Sequence, residues 1–312
     1  MKSHRKYRAF TLIELLFVIV VLGIVGGVAL EAVRQYYEGI YRTQTYTKRI
    51  NEADLILEKL SKYFENSIYV SIVNLDQDAA DNALVGTCEG DPKFETENVM
   101  HDYTVGFLGV DVDSLYGDTT PGWSENAPAA FNGTALTPAD ANLSIANTII
   151  TDYYPASNLA NSVIYNHEGV VGACSDFNWD GSNGLGAYYT INNFDGNNTL
   201  TLTTHYPVAT PKNDQKYLIR SGYALRVLNT GDLTLYTNFR PWKNEKYTSG
   251  KTVLLGQNVS SLYADYNNTN SYNERGGVLR LKVCMRGLES NLSTSDEVQQ
   301  AICRERRVRV RY

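Results

Sequence analysis

Phe10-Thr11-Leu12-Ile13-Glu14-Leu15-Leu16-Phe17-Val18-Ile19-Val20-Val21-Leu22-Gly23-Ile24-Val25-Gly26-Gly27-Val28-Ala29-Leu30 is a 21-residue run whose only charge is Glu14. As a helix it extends about 31 Å at ~1.5 Å per residue, enough to cross the hydrocarbon layer of a bilayer. A secretory signal has a shorter apolar core, roughly 7 to 15 residues, followed by small residues at a cleavage site. This run is longer, and no Ala-x-Ala spacing follows it. Length alone therefore reads as a single-span anchor, and Glu14 does not fit that reading. A carboxylate at membrane depth costs on the order of 2.5 to 3.5 kcal/mol, so its presence points to a function. Its place near the start of the run also lets it sit near the interface.

Upstream, Lys2, Arg5, Lys6 and Arg8 precede the run with no acid among them. Basic residues at this end hold it in the cytoplasm and send the remainder across. The chain has 312 residues, 43% apolar and 20% charged, with 28 basic against 34 acidic side chains and a net charge of -6. That length allows one large domain or two smaller ones. A single apolar run beside an otherwise ordinary composition excludes both a simple cytosolic enzyme and a multi-span membrane protein. Without the four leader cations the exported body is more acidic still, so no nucleic-acid partner is expected. The local exception is the C-terminal RERRVRVRY, with Arg304, Arg306, Arg307, Arg309 and Arg311, read as an edge strand that charge protects from aggregation.

No proline interrupts the chain between Phe10 and Asp91. Beyond the apolar run, Tyr46, Ile50, Ala53, Leu57, Leu60, Phe64 and Ile68 recur at spacings of three and four, a helical stripe. Arg49, Glu52, Glu58, Lys59 and Lys62 make the other face polar, and Glu58 and Lys62 are placed for an i,i+4 pair. The pattern predicts one helix from Phe10 to about Ser67; a coiled-coil linker would need a longer regular heptad series. From about Asn74 onward, turn-forming clusters alternate with short strand-like segments. The predicted strands are 104–112, 200–205, 218–228, 233–238, 259–266, 278–285 and 307–312, with a hairpin around Asn229-Thr230-Gly231-Asp232. Residues 75 to 200 read as an insertion-rich, variable region. The fold class is α+β: a long N-terminal helix, half membrane and half amphipathic, packed against a mainly antiparallel sheet. Its parts are a basic leader (1–9), a membrane or filament-core helix (10–30), an amphipathic stalk (31–70) and an extracytoplasmic β-rich head (75–312).

The basic leader, a small residue, then Phe10-Thr11-Leu12-Ile13-Glu14 and an unbroken apolar helix resemble the N-terminus of type IV prepilins and type II secretion pseudopilins. The resemblance implies a pilin-like fold, cleavage between Ala9 and Phe10 by a prepilin peptidase, and N-methylation of Phe10. It assigns Glu14 to an assembly salt bridge with the free amine of a neighbouring subunit's Phe10. Two opposite charges brought together in an apolar filament core relieve each other's desolvation, and a wrong register leaves both unpaired. The chain departs from the family pattern in having Ala9 where Gly is usual, and in lacking the proline that many major pilins carry near the end of the apolar run. The segments KTVLLGQNVSSLYADYNN and GGVLRLKVCMRG are similar to the late head region of larger minor pilins and J-type minor pseudopilins. The implied role is a structural minor subunit of a type IV pilus, adding to or priming the filament. The alternative is a minor pseudopilin of a type II secretion system, and the remoter one a membrane-tethered exported enzyme or receptor. The implied location is the bacterial inner membrane, single-pass with the head outside, then the pilus or pseudopilus. The partners are prepilin peptidase, other pilin or pseudopilin subunits, the inner membrane and a surface or host ligand of the head.

Four cysteines, Cys88, Cys174, Cys284 and Cys303, all follow the anchor and none forms a CxxC pair. An even number in an exported region suggests disulfides and allows three connectivities; Cys284 with Cys303 and Cys88 with Cys174 is favoured. No catalytic constellation emerges: His101, His167 and His205 are scattered, and His167-Glu168 lacks the second histidine of a zinc-protease helix. Asp176-Phe-Asn178-Trp-Asp180-Gly181 matches the first half of an EF-hand loop, but its twelfth position is Ala187, so it reads as an Asx-rich turn, with a noncanonical calcium site as the alternative. No enzyme activity, metal or cofactor is expected. Tyrosine outnumbers phenylalanine 23 to 9, which suits surfaces that stay soluble yet adhere.

Overall fold

The structure, a computed structural model, describes residues 11–76, 88–89, 103–115, 120–123, 130–131, 134–138, 140–153, 157–166, 173–179, 181, 188–204, 216–266, 277–286 and 301–310. Helix α1 runs unbroken from Leu12 to Glu65, 54 residues, in agreement with the proline-free stretch and the helical stripe. It ends where Ser67 N–H and its hydroxyl both turn back to the Phe64 carbonyl and Asn66 Nδ2 donates to the Lys62 carbonyl. From there the chain enters sheet pairing: Ile68 N–H donates to Leu108 O, and Val110 N–H to Asn66 O.

Two further helices, α2 (Leu143–Tyr153) and α3 (Ala173–Asp176), accompany fourteen strands among the described residues. In chain order these are β1 (Val73–Asp76), β2 (Cys88–Glu89), β3 (Tyr103–Val110), β4 (Ala130–Phe131), β5 (Ala135–Thr137), β6 (Val163–Asn166) and β7 (Tyr188–Phe194). They continue as β8 (Leu200–Thr204), β9 (Lys216–Val227), β10 (Leu233–Phe239), β11 (Lys251–Gly256), β12 (Val259–Tyr266), β13 (Gly277–Met285) and β14 (Ile302–Val310). Every pairing is antiparallel.

The larger sheet forks at β9, whose stretch from Ile219 to Arg226 lies against β3 on one side. On the other side its first half pairs with β6 and its second half with β10. One branch continues β6-β7-β8-β5-β4 and the other ends at β11. The smaller sheet has the order β12-β13-β14. The β9–β10 hairpin turns at Asn229–Asp232 as predicted: Leu228 N–H donates to Asp232 O, and Gly231 takes φ +86°, a conformation that favours glycine.

The chain divides into two compact units, Met1–Arg49 and Ile50–Tyr312. Within the second, Ala53, Leu57, Leu60 and Phe64 of the predicted stripe are buried together with Ile56. They pack with Val105, Phe107, Leu225, Leu235, Leu262 and Leu281, so α1 shares one core with both sheets. Phe64 and Phe107 meet with ring centroids 4.5 Å apart. The helix comes so close to β11 that a Cβ on Gly256 would collide with the Ile56 side chain. Glu58 and Lys62 form the predicted i,i+4 pair at 3.5 Å.

Residues 75 to 200, expected to be insertion-rich, hold the predicted strand β3 together with elements that the sequence did not announce. They carry β3, β6, β7 and α2, and the last packs a core of its own from Trp123, Leu143, Ala146, Ile150, Leu159, Ile191 and Leu202. Short strands separated by polar turns give too little periodicity to register in the sequence, and burial by partners distant in the chain supplies what local pattern lacks. The last strand begins earlier than expected, at Ile302 rather than Arg307, because β13 pairs with it from there through Val310; Arg311 and Tyr312 lie outside the described residues.

Candidate functional site

Thr11 and Glu14 close the N-terminal end of α1 on each other. Glu14 N–H donates to Thr11 Oγ1 at 3.4 Å, while Glu14 Oε2 accepts from Thr11 N–H at 3.3 Å and from its hydroxyl at 3.2 Å. This is a capping box, in which a threonine before the first turn and an acid three residues later satisfy donors that the helix leaves open. The carboxylate also stands at the positive end of the helix dipole. The Thr-x-x-Glu spacing before an apolar run is the sequence signal of this box. Ala9 and Phe10, the predicted cleavage and methylation positions, lie outside the described residues.

From Leu12 to Leu30 every side chain of α1 is exposed, the large apolar ones between 46% (Val18) and 83% (Leu12). The helix is long and apolar enough to cross a membrane. An apolar surface of this extent is stable only in lipid or against apolar partners. Just beyond it, Tyr36, Tyr37 and Tyr41 are exposed as well, amphipathic rings of the kind that favour a membrane interface. Arg34 and Glu38 pair at 2.9 Å, and the hydroxyls of Thr43, Thr45 and Thr47 each donate to the carbonyl four residues back. The polar segment therefore satisfies itself locally.

In the second unit Asp111, just after β3, is buried, and Arg220 on β9 is nearly so. Arg220 Nη1 lies 2.8 Å from Asp111 Oδ1, and Nη2 lies 2.6 Å from Asp113 Oδ2. Ser114 donates to Asp111 Oδ2 at 2.5 Å, and the Tyr153 ring lies 5.3 Å from the guanidinium carbon. Burial pushes the Asp111 carboxyl up, against the opposing pull of Arg220 and the Ser114 hydrogen bond. This cluster joins β3, β9 and the end of α2. The sequence shows Val-Asp-Val-Asp-Ser and a distant arginine, with nothing to indicate that they meet.

Cys284 and Cys303 face each other across β13 and β14 and form a disulfide, as predicted. Cys174 is also disulfide-bonded, while the Cys88 side chain lies outside the described residues. Replacing Cys284 and Cys303 together by alanine will cost about 3 kcal/mol, from the freedom regained by a loop of 19 residues. Urea unfolding of the detergent-purified chain measures this, and an unchanged midpoint contradicts it.

Strand β14 is an edge strand among the described residues, with Arg304, Arg306, Arg307 and Arg309 exposed. Arg280 on β13 grips Glu305 through two contacts of 2.6 Å, and this hydrogen bonding holds the Glu305 carboxyl below its usual range. Arg304 reaches Asp54 of α1 at 3.6 Å. Asn178, in the aspartate-rich turn, takes φ +55° and donates its amide to Pro241 O at 2.7 Å and to Asn244 Oδ1 at 2.8 Å. That side chain clamps two loops together. Asp180, Ala187, His101, His167 and His205 lie outside the described residues, and among the described ones no group of three His, Cys, Asp or Glu is placed to hold a metal.

Residues 4–30 match the prokaryotic N-terminal methylation motif, the signature of prepilins and pseudopilins. No curated protein and no solved structure matches the chain. The matched segment spans the basic residues from Arg5 onward, the Ala9-Phe10 junction, the Thr11–Glu14 box and the exposed apolar helix.

Proposed function

We propose that the chain is a structural, non-catalytic minor pilin that enters a type IV pilus filament. Prepilin peptidase cuts between Ala9 and Phe10 on the cytoplasmic face, the new N-terminus of Phe10 is methylated, and the apolar half of α1 holds the product in the inner membrane. During assembly the same apolar surface leaves lipid for a bundle of equivalent helices. The carrying observation is the methylation motif at residues 4–30 opening onto a helix whose apolar side chains are exposed through Leu30. The absence of proline from α1 suits a subunit used sparingly, at a tip or in priming, better than the shaft subunit. A surface or host ligand for the head belongs to the same proposal.

A second reading is a minor pseudopilin of a type II secretion system, since residues 251–268 and 276–287 resemble the late head region of larger minor pilins and of J-type minor pseudopilins alike. Deleting the protein separates the two: loss of surface filaments supports the pilus, and loss of exported enzymes with filaments intact supports the secretion system. Both require the mature chain to begin at Phe10. Mass spectrometry of the native N-terminus will find methylated Phe10. A chain that keeps Met1 in cells possessing a prepilin peptidase ends both readings.

A further inference from the structure

We propose that Asn197 is an acceptor for an N-linked glycan, transferred outside the cytoplasm from a polyprenyl-diphosphate-linked oligosaccharide. The chain contains six Asn-x-Ser/Thr triplets, at Asn132, Asn142, Asn197, Asn258, Asn267 and Asn291, none with proline in the middle. Such triplets are the acceptor pattern of N-glycosylation. Four of the six, at Asn142, Asn197, Asn267 and Asn291, also have an acid two residues before the asparagine: Asp140, Asp195, Asp265 and Glu289. With 34 acids in 312 residues, chance would place an acid before fewer than one of the six. An acid at that position gives a transferase a charge to read in addition to the amide and the hydroxyl.

Two of the four acid-bearing sites are described in full, and they adjoin. Leu143 N–H donates to Asn198 Oδ1 and Ser144 Oγ to Gly196 O, both at 3.2 Å, which sets the start of α2 against the β7–β8 turn. At the first site Asn142 Oδ1 accepts from Ser144 N–H at 3.0 Å, so that side chain is occupied in capping α2. At the second, Asn197 stands exposed between β7 and β8, and its amide makes no hydrogen bond among the described residues. Asp195 is exposed beside it. Its Oδ1 accepts from Asn197 N–H at 2.8 Å and from Thr199 N–H at 3.1 Å, and these bonds keep its carboxyl ionised to lower pH than usual. Gly196, with φ +81° and open space around it, lets the chain fold tightly enough to present Asn197 outward.

In the transfer, Asn197 Nδ2 bonds to the anomeric carbon of the first sugar. The bond from that carbon to the diphosphate oxygen breaks, polyprenyl diphosphate leaves with the electron pair, and one amide proton passes to a base of the transferase. No oxidant or reductant is involved. The inference rests on export of the head, which the proposed function supplies.

The test is peptide mass spectrometry on the native protein recovered from its own cells, reading the N-terminal peptide and the Asn197 peptide in one digest. The Asn197 peptide will carry a glycan mass that is lost completely in Asn197→Gln and Thr199→Val and retained in Thr199→Ser. Asp195→Asn keeps an oxygen to accept both N–H groups of the turn while removing the charge, and it will lose the glycan. A glycan that persists in Asp195→Asn overturns the proposed signal. A bare Asn197 in chains that begin at Phe10 overturns the inference and leaves the prepilin reading standing; a glycosylated Asn197 in chains that begin at Met1 does the reverse.

Discussion

Replacing Glu14 by glutamine will leave the chain in the membrane and remove it from filaments. Glutamine at the third helical position can still accept from Thr11 N–H, so the capping box closes and α1 starts where it does now. What the substitution deletes is charge alone. In the proposed assembly, a neighbour's Phe10 amine then enters an apolar bundle with no anion to meet it. Breaking a buried pair by removing one partner costs about 3 to 5 kcal/mol. That is roughly a hundred- to five-thousandfold in an assembly equilibrium. Glu14→Ala removes the charge and the cap together, and losing a cap adds only about 1 kcal/mol. The two variants will therefore fail to nearly the same extent. The measurement is the protein recovered from sheared filaments relative to the membrane fraction. Native recovery of Glu14→Gln together with loss of Glu14→Ala would assign Glu14 to the helix cap and sink the salt bridge.

Those two substitutions separate functions that the sequence presents as one. Phe10 to Leu30 announced a helix, its environment and its odd charge, because an apolar run of this length has few other physical solutions. The stalk was equally plain: the spacing that runs through Ala53, Leu57, Leu60 and Phe64 is the spacing of a buried helix face, and those residues are buried. Strands β12 and β13 alternate clearly and form one sheet, and Cys284 meets Cys303 because β13 and β14 lie side by side in register. The region from 75 to 200 was legible only in part. Val163–Asn166 and Tyr188–Phe194 are short, and their burial comes from pairing with each other and, for the first, with β9, far along the chain. Local pattern cannot announce a partner so far away. Trp123 shows the same limit, since its indole N–H donates to the Lys216 carbonyl at 2.9 Å, a contact with no trace in either neighbourhood. The tyrosine excess, read as a surface property, is divided among the described residues: Tyr165, Tyr188, Tyr189, Tyr217, Tyr236 and Tyr247 are buried, whereas Tyr36, Tyr37, Tyr41, Tyr46 and Tyr153 are exposed.

The charged cluster around Arg220 leads to the second large effect. Arg220→Met keeps much of the side chain's length and apolar bulk while withdrawing the cation from Asp111, which is 0% exposed, and from Asp113. A buried carboxylate left without its partner costs about 3 to 5 kcal/mol. For a unit of this size that is roughly a 10 °C fall in melting temperature. The loss will depend on pH with a definite sign. Burial raises the Asp111 carboxyl above its ordinary value of 3.8, so the folded chain holds a proton at pH values where the unfolded chain has released it. The stability linked to that proton is fully present below 3.8 and is lost as pH rises through the raised native value. Arg220 is the main influence pulling that value back down, so the arginine-free variant carries the loss further toward neutral pH. Asp195 and Glu305 are shifted the opposite way and lose their contribution as pH falls, but both are present in either protein and cancel in the difference. The gap in melting temperature between native protein and Arg220→Met will therefore be large at pH 8 and narrow at pH 5. Adding Asp111→Asn to Arg220→Met will flatten that dependence, because an amide has no proton to exchange and can still accept from Ser114. A gap of the same size at both pH values would mean that Arg220 stabilises through its packing, including its stacking on Tyr153, and not by holding the Asp111 charge.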